Sequence, residues 1–121
     1  MICFMLALRT VNESNRRDHW GTSARRHARQ REIVKMTLWA RCRPNREAMM
    51  SDHQKRLSIC LTRYSRGKLD TDGVVSALKH VRDETAACLG FDDREERVTW
   101  HYRQERVPKG FAIQIRIEEV A

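Results

Sequence analysis

The sequence predicts an α+β fold, a mixed β-sheet with helices packed on one side, and three observations lead there. Apolar residues recur with period two in three separate stretches, a strand signal, run unbroken in the opening segment, and recur with helical spacing in two others. The order of these stretches is β, loop, α, β, α, β, β. They occur within 121 residues, a length for one domain, 1–121, with a modest core.

The opening Met1-Ile2-Cys3-Phe4-Met5-Leu6-Ala7-Leu8 is apolar. It has no basic segment before it and is far too short to span a bilayer, so it reads as a first strand of a cytoplasmic protein with no membrane partner. Arg9 to Thr22 is polar, contains Asn12 and Asn15, and ends in His19-Trp20-Gly21, which reads as a loop. Ser23 then suits a helix cap. From there to about Arg41, Ala24, Ala28, Ile33, Met36 and Ala40 recur at three- to five-residue spacing, while Arg25, Arg26 and Arg29 project from other faces. Pro44-Asn45 marks the end of that helix, and Arg46 to Arg56 reads either as a further helical turn or as a connection.

From Leu57 the period becomes two: Leu57, Ile59 and Leu61 share one face, and Ser58, Cys60 and Thr62 share the other. The strand leads to a Ser65-Arg66-Gly67-Lys68 turn. A second helix opens at Asp72 or Gly73, with Val74, Val75, Leu78, Val81, Thr85, Cys88 and Leu89 on its apolar side, and ends at Gly90. Val98, Trp100 and Tyr102 then alternate with Thr99, His101 and Arg103. After Pro108-Lys109-Gly110, Phe111, Ile113, Ile115 and Ile117 alternate with polar partners, and these last two strands suit an antiparallel hairpin. Trp100, Tyr102 and Phe111 read as core. The cysteines, Cys3, Cys42, Cys60 and Cys88, form no Cys-x-x-Cys pair, which favours buried free thiols over a zinc or redox site.

Charge distribution points to function. The formal net charge is +8, and all of the excess lies in the first half: residues 1–56 hold 13 Lys/Arg against 5 Asp/Glu, whereas residues 57–121 hold 11 against 11. A basic segment attracts phosphates, so the first half reads as a nucleic-acid grip, with Arg25, Arg26 and Arg29 the best contacts. Clustered acids in such a chain need a reason. Asp70 and Asp72 stand one residue apart, and Asp92-Asp93 follow about twenty residues later. Carboxylate oxygens hold hard cations such as Mg²⁺, and carboxylate-held Mg²⁺ serves phosphodiester hydrolysis by activating a nucleophile and stabilising phosphoryl charge.

Helical geometry groups these residues. At about 100° per residue, Asp72, Ser76, Lys79 and Asp83 fall within a stripe roughly 60° wide. A lysine there adds positive charge to a phosphoryl transition state. Each residue also has a plainer reading. Asp72 suits a helix N-cap or a first-turn acid, Lys79 and Asp83 an i,i+4 surface ion pair, and Asp92-Asp93 a turn.

The run Leu69-Asp70-Thr71-Asp72, then Ala77-Leu78-Lys79-His80-Val81-Arg82-Asp83, then Leu89-Gly90-Phe91-Asp92-Asp93, resembles the core of the RusA-type Holliday-junction resolvases, small endonucleases common in prophages. The resemblance continues through Val98-Thr99-Trp100-His101-Tyr102 and is specific over residues 69–102. It implies a RusA-like fold and a homodimer that nicks four-way DNA junctions symmetrically with Mg²⁺ or Mn²⁺, without a small-molecule cofactor. The family's Asp-x-Asp falls on Asp70 and Asp72, and its later acidic pair on Asp92 and Asp93. The family lysine usually stands one turn after the second aspartate, where this chain has Ser76, and the Lys-x-x-x-Asp portion matches Lys79 and Asp83 after a shift of three residues. Asparagine usually follows the second aspartate, where this chain has Gly73. The resemblance therefore assigns catalysis to Asp70, Asp72, Lys79, Asp92 and Asp93, with the four aspartates as metal ligands. The alternative is an inactive relative that binds DNA through its basic half alone.

Overall fold

In the computed structural model, residues 2–6, 20–50, 56–90 and 96–120 are described. The elements are β1 (Ile2–Leu6), α1 (Trp20–Met50), β2 (Arg56–Ser65), α2 (Thr71–Ala77), α3 (Lys79–Leu89), β3 (Val98–Arg106) and β4 (Ala112–Val120). The protein is α+β: a mixed four-stranded sheet in the order β1-β4-β2-β3, with three helices. No helix among the described residues is long and apolar enough to cross a membrane.

Period-two alternation explains which face of the sheet is covered. Leu57, Ile59 and Leu61 of β2 and Ile113, Ile115 and Ile117 of β4 are buried, and they form one core with Leu6, Val34, Val74, Leu78, Val81, Leu89 and Val98. Side chains alternate across a strand, so their neighbours point to the opposite, open face. There Ser58, Cys60, His101, Arg103, Arg116 and Glu118 line a shallow hollow of about 230 Å³.

The pairing of the strands departs from the hairpin expected of the last two. β3 runs parallel to β2, from Leu57↔Val98 to Ser65↔Arg106. β4 lies on the other side of β2, antiparallel to it, with Ile59↔Ile117 and Leu61↔Ile115, and pairs antiparallel with β1 through Ile2↔Ile117. The 107–111 connection therefore passes the end of β2, where Val107 N–H donates to the Ser65 carbonyl at 3.0 Å. Alternation specifies which face of each strand is buried but not which strand lies beside it. Parallel β2 and β3 need a long crossover, which α2 and α3 supply.

Several finer expectations are corrected. Ser23 is not a cap, because α1 already begins at Trp20, and the helix continues past Pro44 to Met50. Proline removes one backbone donor, but Arg43, Arg46, Glu47, Ala48, Met49 and Met50 around it are good helix formers. Its buried stripe is also different. Ala24, Ala28, Met36 and Ala40 are exposed, whereas Gln30 and Val34 are buried, with His27, Ile33 and Thr37 half-buried beside them. These positions recur at three- and four-residue intervals and face α3, where the His27 and His80 rings stack with centroids 3.8 Å apart. Alanines carry too little apolar surface to dictate a face. Phe111 is exposed and precedes β4, and Val75 is exposed where core was expected. Among the cysteines, Cys3 is exposed rather than buried, and Cys60 and Cys88 are half-buried free thiols. Asn12, Asn15 and His19 lie outside the described residues.

Candidate functional site

The acidic segment follows β2 and is fixed before its helix begins. Arg63, buried on the core side of β2, donates from Nη1 to the Gly67 carbonyl at 3.0 Å and so anchors the turn after the strand. Burial pushes its guanidinium below the ordinary arginine value. Two residues on, Leu69 N–H donates to Gln104 Oε1 at 3.0 Å, and Gln104 Nε2 donates to the Leu69 carbonyl. A side-chain amide thus imitates a strand neighbour and holds the residue that introduces Asp70.

Asp70, rather than Asp72 or Gly73, opens the helix. It is the N-cap of α2: Oδ1 accepts from Gly73 N–H at 2.7 Å, while its carbonyl accepts from Val74 N–H at 3.0 Å. An N-cap carboxylate satisfies one of the helix's orphan donors. Asp72 falls in the first turn, where an acid favours the helix dipole. The capping reading therefore belongs to Asp70, and Asp72 is left for the groove.

The expected single helix from here to Gly90 is two, α2 and α3, meeting at Leu78. Leu78 has φ −99° and ψ 3°, yet its N–H bonds to the Val74 carbonyl and its own carbonyl accepts from Arg82 N–H, so helical phase is kept through the join. Gly90 ends α3 in the left-handed region, at φ 80°.

That continuity brings the polar stripe together. Asp72, Ser76, Lys79 and Asp83 line one open groove of about 470 Å³, whose remaining wall is Val75, Arg82 and Tyr102. Asp72 and Lys79 are exposed, and Ser76 and Asp83 half-buried. Among the described residues no ion pair joins Lys79 to Asp83, so the surface-pair reading is set aside. Asp70 stands next to the groove through the chain but does not line it. Asp92 and Asp93 lie outside the described residues, and so does any meeting of the two acidic pairs.

The donor set is all oxygen: the Asp72 and Asp83 carboxylates with the Ser76 hydroxyl between them in sequence. Mg²⁺ is held by one or two carboxylates together with substrate phosphates and water, a role that Asp72 suits chemically. Eleven residues of helix put Asp83 about 16 Å further along the axis, so the two carboxylates do not share one ion. Among the described residues no group of three His, Cys, Asp or Glu side chains converges as a metal cage.

One groove residue, Arg82, escaped the sequence reading as functional. Arg82 donates from Nη1 to Tyr102 Oη at 2.8 Å, and its guanidinium carbon sits 4.9 Å from the Trp100 ring centroid. The available signal was the i,i+3 spacing of Lys79 and Arg82. Of the expected phosphate contacts, Arg25 and Arg29 are exposed, one turn apart on α1, and Arg26 is half-buried.

Compared with models of known protein families, the chain matches none, and no curated protein matches it. What the fold defines is a class: an α+β protein whose mixed sheet is covered on one face, with a polar groove along its α2–α3 crossover.

Proposed function

We propose that the protein is a structure-selective, metal-dependent DNA endonuclease of the RusA type, acting as a homodimer on branched DNA in the cytoplasm. The observation that supports this best is the joint lining of one groove by Asp72, Ser76, Lys79 and Asp83. Carboxylates and an amine that alternate along one wall meet the two needs of phosphodiester hydrolysis, a cation held by oxygen and a positive charge for the phosphoryl oxygens.

In this reading Asp72 would hold Mg²⁺ or Mn²⁺ by its carboxylate oxygens, joined by Asp70, Asp92 and Asp93 from the flanking segments, whereas Asp83, about 16 Å further along the helix axis, stands apart from that ion. When bound, the cation supplies a hydroxide-like nucleophile and charge stabilisation. Lys79, exposed at the first turn of α3, offers its ammonium to a non-bridging oxygen. Arg25 and Arg29 take flanking phosphates, and selectivity for four-way junctions comes from the spacing of two grooves across the dimer.

The test is incubation of the purified protein with a labelled synthetic four-way junction, and with linear duplex of the same sequence, in Mg²⁺, Mn²⁺ or EDTA. Paired, metal-dependent nicks confined to the junction are expected, and an uncut junction in both metals refutes the endonuclease. A second reading, an inactive DNA-binding relative, is favoured by one observation: Asp70 Oδ1 is engaged as a helix cap. Tight junction binding without nicks would establish it.

A further inference from the structure

We propose that Arg82 grips the phosphate backbone of the nucleic acid that enters the groove, held in position for this by Trp100 and Tyr102. The proposal rests on the nucleic-acid part of the reading above and needs no cleavage.

Arginine on a helix surface ordinarily samples many rotamers, and a ligand that fixes it must overcome that freedom. Arg82 is already confined. The bond from Nη1 to Tyr102 Oη sets the direction of the guanidinium, and Trp100 lies under it at cation–π distance. Both aromatics belong to one face of β3, two residues apart, and pack as half-buried side chains against the core. The cation is therefore mounted on the rigid sheet rather than on its own flexible stem. Its surroundings matter too: Val75 and Tyr102 give the groove an apolar side, and a half-buried guanidinium feels an anion more strongly than one in open water.

Position indicates the ligand. Lys79 and Arg82 stand at i and i+3, neighbours on a helix surface, and both line the groove with Asp72 and Asp83. A lone carboxylate would suit one cation but would meet the two aspartates as like charges. A phosphodiester backbone presents anionic oxygens to both cations at once, and without any metal the formal charges of Lys79 and Arg82 balance those of Asp72 and Asp83 in the groove. Guanidinium geometry matches phosphate oxygens in pairs.

A residue that only stapled α3 to β3 would alter stability and nothing else. The experiment therefore reads counterion release: anisotropy of a fluorescein-labelled four-way junction in EDTA across a KCl series, for wild type, Arg82→Gln, Arg82→Lys and Tyr102→Phe. Arg82→Gln is expected to reduce the magnitude of the log K against log[salt] slope by about 0.9. Arg82→Lys should keep the slope and bind more weakly. Tyr102→Phe, which keeps every charge, should also keep the slope while losing roughly two- to tenfold in affinity at fixed salt, the worth of one hydrogen bond. An unchanged slope in folded Arg82→Gln overturns the proposal, as does a wild-type protein that binds no junction. If circular dichroism shows Arg82→Gln unfolded, Tyr102→Phe decides, and wild-type affinity there overturns it. Cleavage is scored separately in Mg²⁺. An Arg82-dependent slope in a protein that never cuts refutes the endonuclease and leaves this inference standing, whereas normal cutting with an unchanged slope refutes this inference alone.

Discussion

Gln104 and Leu69 are 35 residues apart in sequence and joined by two hydrogen bonds, the Gln104 amide meeting both the N–H and the carbonyl of Leu69. The contact ties β3 to the segment that delivers Asp70, so the position of the acidic cluster depends on a residue with no chemistry of its own.

Gln104→Leu should therefore cost about 1–3 kcal/mol, because two half-buried backbone groups lose their partners. Urea denaturation checks this. Gln104→Glu carries a pH signature. An ionised carboxylate has no donor for the Leu69 carbonyl, whereas its acid form has both donor and acceptor. The deficit relative to wild type should shrink as pH falls through about 4, the ordinary glutamate range, and a pH-independent deficit would contradict the pairing.

The two aspartates of the Asp-x-Asp pair should separate by substitution. Asp70→Ala removes the α2 cap and is expected to cost about 1 kcal/mol. Asp70→Asn keeps a capping oxygen and should be close to neutral in stability. Asp72→Asn should cost under about 1 kcal/mol, the worth of a first-turn charge, leave junction binding intact and abolish cleavage. Normal cutting by Asp72→Asn would remove that residue from the site.

Gly90 holds φ 80° at the end of α3. A side chain there adopts the left-handed region at a cost of about 1–2 kcal/mol, so Gly90→Ala should lower the urea midpoint. Because Gly90 sets the direction in which the chain leaves toward Asp92-Asp93, the same substitution should reduce cleavage more than junction binding. Equal losses in both would argue against that coupling.

On α1, Arg25 and Arg29 are exposed and Arg26 is half-buried. Replacing all three with glutamine should weaken junction binding and flatten its salt slope by up to about 0.9 for each phosphate that the helix no longer neutralises. Restoring Arg26 alone should recover less than restoring Arg25 or Arg29. A wild-type slope in the triple variant would take α1 out of the interface.

What was legible in the sequence followed from periodicity. Leu57, Ile59 and Leu61 alternate cleanly and are buried, and the Asp72-Ser76-Lys79-Asp83 stripe survives as a groove wall because backbone bonds run through Leu78. Partnerships between distant residues were not legible. Alternation in β3 and β4 fits a hairpin as well as it fits their actual places on opposite sides of β2. The scattered alanines of α1 suggested one face, while His27 and Gln30, polar but near α3, occupy another. The cap fell to Asp70 rather than Asp72, and nothing near Asp70 in the chain records the Gln104 contact that holds Leu69 just before it.

The place of β4 between β1 and β2 has a consequence for the order of assembly. Ile2 faces Ile117, and Ile117 also faces Ile59, so β1 enters the sheet only through a strand translated more than a hundred residues later. Loops of that span close slowly. The helices and the β2–β3 pair have their partners within reach during synthesis. β1 waits for β4, and until then the two apolar edges that β4 will fill are open to pairing with another chain, which makes its arrival the step most exposed to aggregation.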